Sequence, residues 1–153
     1  MHEIAVIGAI LVMLVNALAA LTGLAQYLLG TPTRAFWVAA RGGQVVAAVY
    51  LIVVAGLAIF GWRPNDNLFW IYALVPPAVG YFAEQLRVVA ARTVLERNGY
   101  ETVAELRAEV ESDAQRASLA ETIAFQIRLR EMGIVSIACG VVAFLAWRAW
   151  ITA

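Results

Sequence analysis

Four apolar stretches constrain this chain more than any other feature. A helix needs about 20 mostly apolar residues to cross a bilayer. Residues about 4–29, 35–60, 68–89 and 133–151 each offer such a run. No water reaches the hydrocarbon region to satisfy backbone N–H and C=O groups, so runs of this kind fold as helices that bond internally. Composition agrees: 63% of residues are hydrophobic, 14% are charged and the mean hydropathy is +0.78, all far from soluble averages. The first stretch carries Glu3 where a signal peptide has a positive flank, and it runs on past the small residues Ala17 and Ala19. It is therefore expected to stay as a span.

Arginine sets the expected orientation. With four crossings, the turn at residues 30–34 and the long segment after Val89 share one side. Arg34, Arg87, Arg92, Arg97, Arg128 and Arg130 flank that side, against Arg63 and Arg148 on the other. The excess places the first side in the cytoplasm and both termini on the outer, periplasmic side of a cell inner membrane. Trp62, Phe69, Trp70, Trp147 and Trp150 are expected at the outer interface, with Tyr27, Phe36, Trp37 and Tyr81 at the inner one.

Short turns, Gly30 to Thr33 and Gly61 to Asn67, force neighbouring helices to run antiparallel. The fold class expected is thus all-α: an antiparallel four-transmembrane-helix bundle forming a single membrane domain over residues 1–153. The segment at about 90–130 lacks the Pro and Gly of a disordered linker and reads as helix, a cytoplasmic extension of the third and fourth spans. Asn98-Gly99 suits a left-handed helix end. Thr102 to Glu105 has the form of a capping box, and a break is expected near Ser112-Asp113. Glu101, Glu105, Glu109 and Asp113 crowd the tip. They are either a solvated face or a surface where a partner docks.

Charge and residue inventory close several functional classes. The 11 basic residues balance 11 acidic ones, so no global field steers nucleic acid to the chain. All the basic residues are Arg, and without Lys there is neither Schiff-base chemistry nor a phosphate-loop lysine. The single His2 and single Cys139 supply no ligand set and no base in the membrane. No enzyme activity, cofactor or metal is implied.

Polar residues inside the spans carry what functional signal there is. Asn16, Ala19, Gly23 and Gln26 share one face of the first span, and Gly133, Ser136, Gly140 and Ala143 one face of the fourth. Small faces of this sort let membrane helices approach closely. Arg41 lies six residues, about 9 Å, inside the second span, where it is costly unless paired. Glu84 stands at matching depth on the third. A polar cluster of Gln26, Arg41, Gln44, Glu84 and Gln85 is expected near the cytoplasmic leaflet, beside the helix break at Pro76-Pro77. It is either a clasp that fixes helix register or a site for a proton, an ion or a polar head group.

The reading these features favour is a non-catalytic accessory or structural subunit of a membrane complex or homo-oligomer. Its partners would be the lipid bilayer and other membrane subunits or copies of itself. One alternative is a small oligomeric transporter or channel using the Arg41/Glu84 pair. A second is a protein that holds a lipid or quinone head group against Trp37, Arg41, Gln44 and Tyr81.

Overall fold

The computed structural model describes residues 1–112 and 116–153, without the side chains of 109–112. Five helices make up the fold: α1 (His2–Leu29), α2 (Arg34–Ile59), α3 (Leu68–Arg97), α4 (Val103–Ser112) and α5 (Ala117–Thr152). No strand occurs among the described residues. Three of the helices, α1, α2 and α5, are long and apolar enough to cross a membrane. At 30 residues α3 is as long, but Tyr72, Pro76, Pro77, Glu84, Gln85 and Arg87 dilute its apolar run. It remains helical through both prolines.

The buried face of α1 is Ala5, Ala9, Val12, Asn16, Ala19 and Gly23, spaced alternately by four and three residues. On α5 the matching set includes Met132, Val135, Cys139, Val142, Ala146 and Ala149, spaced by three and four. A period near 3.5 keeps one seam facing a partner helix along its whole length, as in a left-handed coiled coil. Both seams are rich in small residues, so the backbones come close. At Gly23 a Cβ would collide with Ser136 Oγ and the Phe36 ring, and at Gly43 it would lie 2.7 Å from Asn16 Oδ1. Neither site has room for a side chain.

The α1 contacts run in opposite order along both of its neighbours. Gly8 meets Tyr50, Asn16 meets Gly43 and Gly23 meets Phe36 on α2, while Gly23 meets Ser136 and the Tyr27 ring meets Gly133 on α5. The pair α3 and α5 runs in opposite directions as well: Arg87 reaches Glu131 at one end, and at the other Asp66 N–H, just before α3, donates to the Thr152 carbonyl. The α1–α5 and α3–α5 interfaces are the most extensive, and the seam between α2 and α3 is thin. One core cluster fills the end nearest the chain termini, around Val12, Tyr50, Val54, Trp62 and Phe69. A second, with Ala19, Phe36, Ala40, Met132 and Cys139, follows along the bundle. A third joins α3 to α4 and α5 through Val94, Leu95, Tyr100, Leu106 and Ile123.

Local signals account for the ends of the elements. Gly30 and Gly99 adopt positive φ of 63° and 84°, the left-handed geometry that closes α1 and α3. Tyr100 N–H donates to the Leu95 carbonyl at 3.0 Å. Thr102 Oγ1 accepts from Glu105 N–H at 3.2 Å, while the Glu105 carboxylate turns back to the N–H of Glu101 at 2.8 Å. The capping box is thus formed with its return bond one residue further out than the standard pattern, which closes on the cap residue itself.

Some sequence expectations are displaced. The aromatic residues expected at an outer interface include two that pack inward: Phe69 is fully buried, and Trp62 stacks edge-on against it at 5.2 Å. The small face expected on α5 is turned by about one residue, so that Ser136 and Ala143 are buried while Gly133 and Gly140 sit at the edge of the seam. α4 ends at Ser112, and Asp113, the other residue of the expected break, lies outside the described residues.

Candidate functional site

Glu84 is the hub of the polar cluster. It projects from α3 about two turns beyond the two prolines, and three donors converge on its carboxylate. Arg87, one turn along the same helix, donates Nη1 to Oε2 at 2.7 Å. From α2, Gln44 donates Nε2 to Oε1 at 3.2 Å, and Arg41 Nη1 lies 3.1 Å from the same oxygen. Arg41 also donates to Gln44 Oε1 at 3.0 Å, so the two α2 side chains, one turn apart, reach α3 as a unit.

Arg87 extends the network to a third helix. Its Nη2 lies 3.4 Å from Glu131 Oε2 on α5, and its guanidinium carbon sits 4.5 Å above the Trp37 ring of α2. Four charges of alternating sign, Arg41, Glu84, Arg87 and Glu131, therefore tie α2, α3 and α5 together with no net charge. Burial is graded along the row: Arg87 and Glu131 are 19% and 18% exposed, Glu84 is 32% and Arg41 is 59%. The row opens outward at the thin α2–α3 seam. Arg87 Nε is buried without a hydrogen-bond partner.

Two residues expected in this cluster stand elsewhere. Gln26 accepts from Thr33 N–H at 3.2 Å and from Thr33 Oγ1–H at 2.9 Å, bracing the turn between α1 and α2. Gln85 is exposed, because a neighbour in a helix is rotated about 100° from Glu84 and cannot face the same partners. In their places stand Arg87 and Glu131. The i, i+3 spacing of Glu84 and Arg87 was a usable signal. For Glu131 there was none, since its register against α3 depends on the path of the polar segment between them.

Trp37 carries Arg87 on its ring face, and Tyr81 is exposed and stacks against Phe82 at 5.8 Å. At the tip, Glu101 is exposed and its N–H is held by Glu105. The Glu109 side chain and Asp113 lie outside the described residues.

A cavity of about 40 Å³ adjoins the cluster, lined by Asn16, Gln44, Pro76, Pro77, Gly80 and Cys139 among others. It is large enough for water, and Gln44 forms part of its wall. Asn16 is buried beside it and donates to the Val12 carbonyl at 2.9 Å and the Gly43 carbonyl at 3.4 Å.

Comparison with family models, curated proteins and solved structures finds no match for this chain.

Proposed function

We propose that the protein is a non-catalytic, four-span subunit of a membrane assembly, either a complex with other membrane chains or a homo-oligomer. In this reading α3 crosses the membrane with α1, α2 and α5 as an antiparallel bundle in a cell inner membrane. The termini lie outside, and α4 stands in the cytoplasm on the prolonged α3 and α5. The observation that carries it is Arg41, an arginine with 59% of its side chain exposed about two turns inside an apolar helix. An exposed charge at that depth is costly in hydrocarbon. A second chain seated along the thin α2–α3 seam would cover it, whereas the rest of the charge row is more deeply buried within the bundle.

The test is the composition of the purified particle. A photo-crosslinking residue at Val38 or Val45, both exposed on α2, is expected to trap a second copy or another membrane chain. The particle's mass less detergent should correspond to more than one chain. A monomer that crosslinks only to lipid would rule the reading out.

A second reading, a small oligomeric carrier, is favoured by the cavity that Gln44 shares with Pro76, Pro77 and Gly80 next to Glu84. Proteoliposome flux that vanishes with Glu84→Gln would support it, and flux that survives would exclude Glu84 as the coupling group.

A further inference from the structure

The outer face of α5 carries a groove that the charge row does not use. A depression of about 360 Å³ is lined by Leu24 and Tyr27 of α1, Ala90 of α3 and Arg130, Gly133, Ile134 and Ile137 of α5. A second, of about 210 Å³, is lined by Ala20, Leu21, Leu24, Ser136, Ile137 and Gly140. Leu24 and Ile137 belong to both, so the two join into one trough. Gly133 and Gly140 form its floor because the α5 seam is turned by one residue. The Tyr27 ring lies against Gly133, where a Cβ would come within 3.0 Å of it.

The trough is polar at one end and apolar along the rest. Arg130 and Tyr27 stand at the polar end, and no carboxylate lines either depression. Glu131, the nearest acid in sequence, is taken by Arg87. Arg130 itself has no ion pair or hydrogen bond among the described residues, unlike Arg41, Arg87 and Arg92. From Arg130 to Gly140 the helix rises about 15 Å, half the thickness of the hydrocarbon core and therefore the depth of one leaflet.

We propose that this trough holds an acidic phospholipid of the cytoplasmic leaflet, with its phosphate on Arg130 and the Tyr27 hydroxyl and one acyl chain laid along Ile137 and over Gly140. A guanidinium meets phosphate oxygens with two parallel N–H donors, and basic pockets between helices on the cytoplasmic side suit anionic head groups. The site lies on α5, away from the α2–α3 seam. It rests on the four-span reading and its orientation but not on the identity of any partner chain.

Native mass spectrometry of the full-length protein in detergent tests it, with phosphatidylglycerol and phosphatidylcholine added in equal amounts. Phosphatidylglycerol is expected to be retained at least about fivefold over phosphatidylcholine, the weight of one arginine near an anionic surface. Arg130→Ala should abolish the preference, and Ile137→Trp, which blocks the trough without touching the charge, should lower retention of both lipids. Equal retention by the unaltered protein, or a preference that survives Arg130→Ala, overturns the proposal. The four-span reading is judged separately, by which side of the membrane each loop occupies.

Discussion

Removing Glu84 should damage this protein out of proportion to the removal of its most visible partner, Arg41. Glu84→Ala strips three donors of their acceptor at 2.7, 3.1 and 3.2 Å. It leaves Arg87, only 19% exposed, with one longer ion pair, to Glu131, and the Trp37 ring face. Breaking a fully buried pair from one side costs about 3–5 kcal/mol, and an exposed pair contributes about 0–1 kcal/mol. Glu84 is 32% exposed, which places the loss between these at about 2–3 kcal/mol. For Arg41→Ala the expected loss is under about 1 kcal/mol, because Glu84 keeps Arg87 and Gln44 as donors and the cost of an exposed arginine in hydrocarbon is removed with the side chain. Charge balance adds a further test. Glu84→Ala leaves two arginines facing one glutamate, whereas Arg41→Ala combined with Glu84→Ala restores one of each. The double variant should therefore be less destabilised than the sum of the singles, by about 0.5–1 kcal/mol. Reversible unfolding in mixed micelles, followed by helical circular dichroism, measures all three. The reasoning fails if Arg41→Ala costs as much as Glu84→Ala, or if the two losses simply add.

Three further outcomes are expected. Gly23→Leu should lower stability by at least about 1–3 kcal/mol in the same assay, since the side chain has no room between Ser136 and Phe36, while Gly42→Ala, with open space around it, should be neutral or slightly stabilising. Asn16→Ala should cost about 0.6–1.7 kcal/mol through the lost bond to the Gly43 carbonyl of α2, and a double-mutant cycle with a variant already loosened on α2 would show no coupling if that bond contributes nothing. In a Cys139→Ala background, single cysteines at His2 and Asp66 should react with an impermeant maleimide from the opposite side to cysteines at Thr31 and Glu105; labelling of all four from one side would rule out four crossings.

The sequence carried the helices further than it carried the site. Apolar runs, the glycine at the end of α1 and the Asn98-Gly99 stop depend on residues close in the chain, and their physics is local. Arg41 could be matched to Glu84 because the turn between α2 and α3 is short and depth on one helix maps onto depth on the next. Glu131 could not be matched, because more than forty residues separate it from Arg87 and small errors of rise accumulate along that path. Gln26 was drawn elsewhere by nearer donors, since Thr33 offers two across a tight turn and the cluster lay a helix away. The apolar level of α3 is a different case: it is set by residues whose cost is recovered only in the folded bundle, where Glu84 and Arg87 find partners on α2 and α5.

That dependence bears on how the chain is made. The α1–α2 hairpin meets along its own length as soon as both helices have emerged, through contacts such as Asn16 with Gly43. The third helix has no such early partner: its seam with α2 is thin, and its extensive interface is with α5, which comes from the last part of the chain to be synthesised. Until then it is the least apolar of the long helices, with Arg87 lacking its α5 carboxylate. On the four-span reading, the distribution of contacts would order biogenesis, since α3 gains its extensive interface only once α5 has been made.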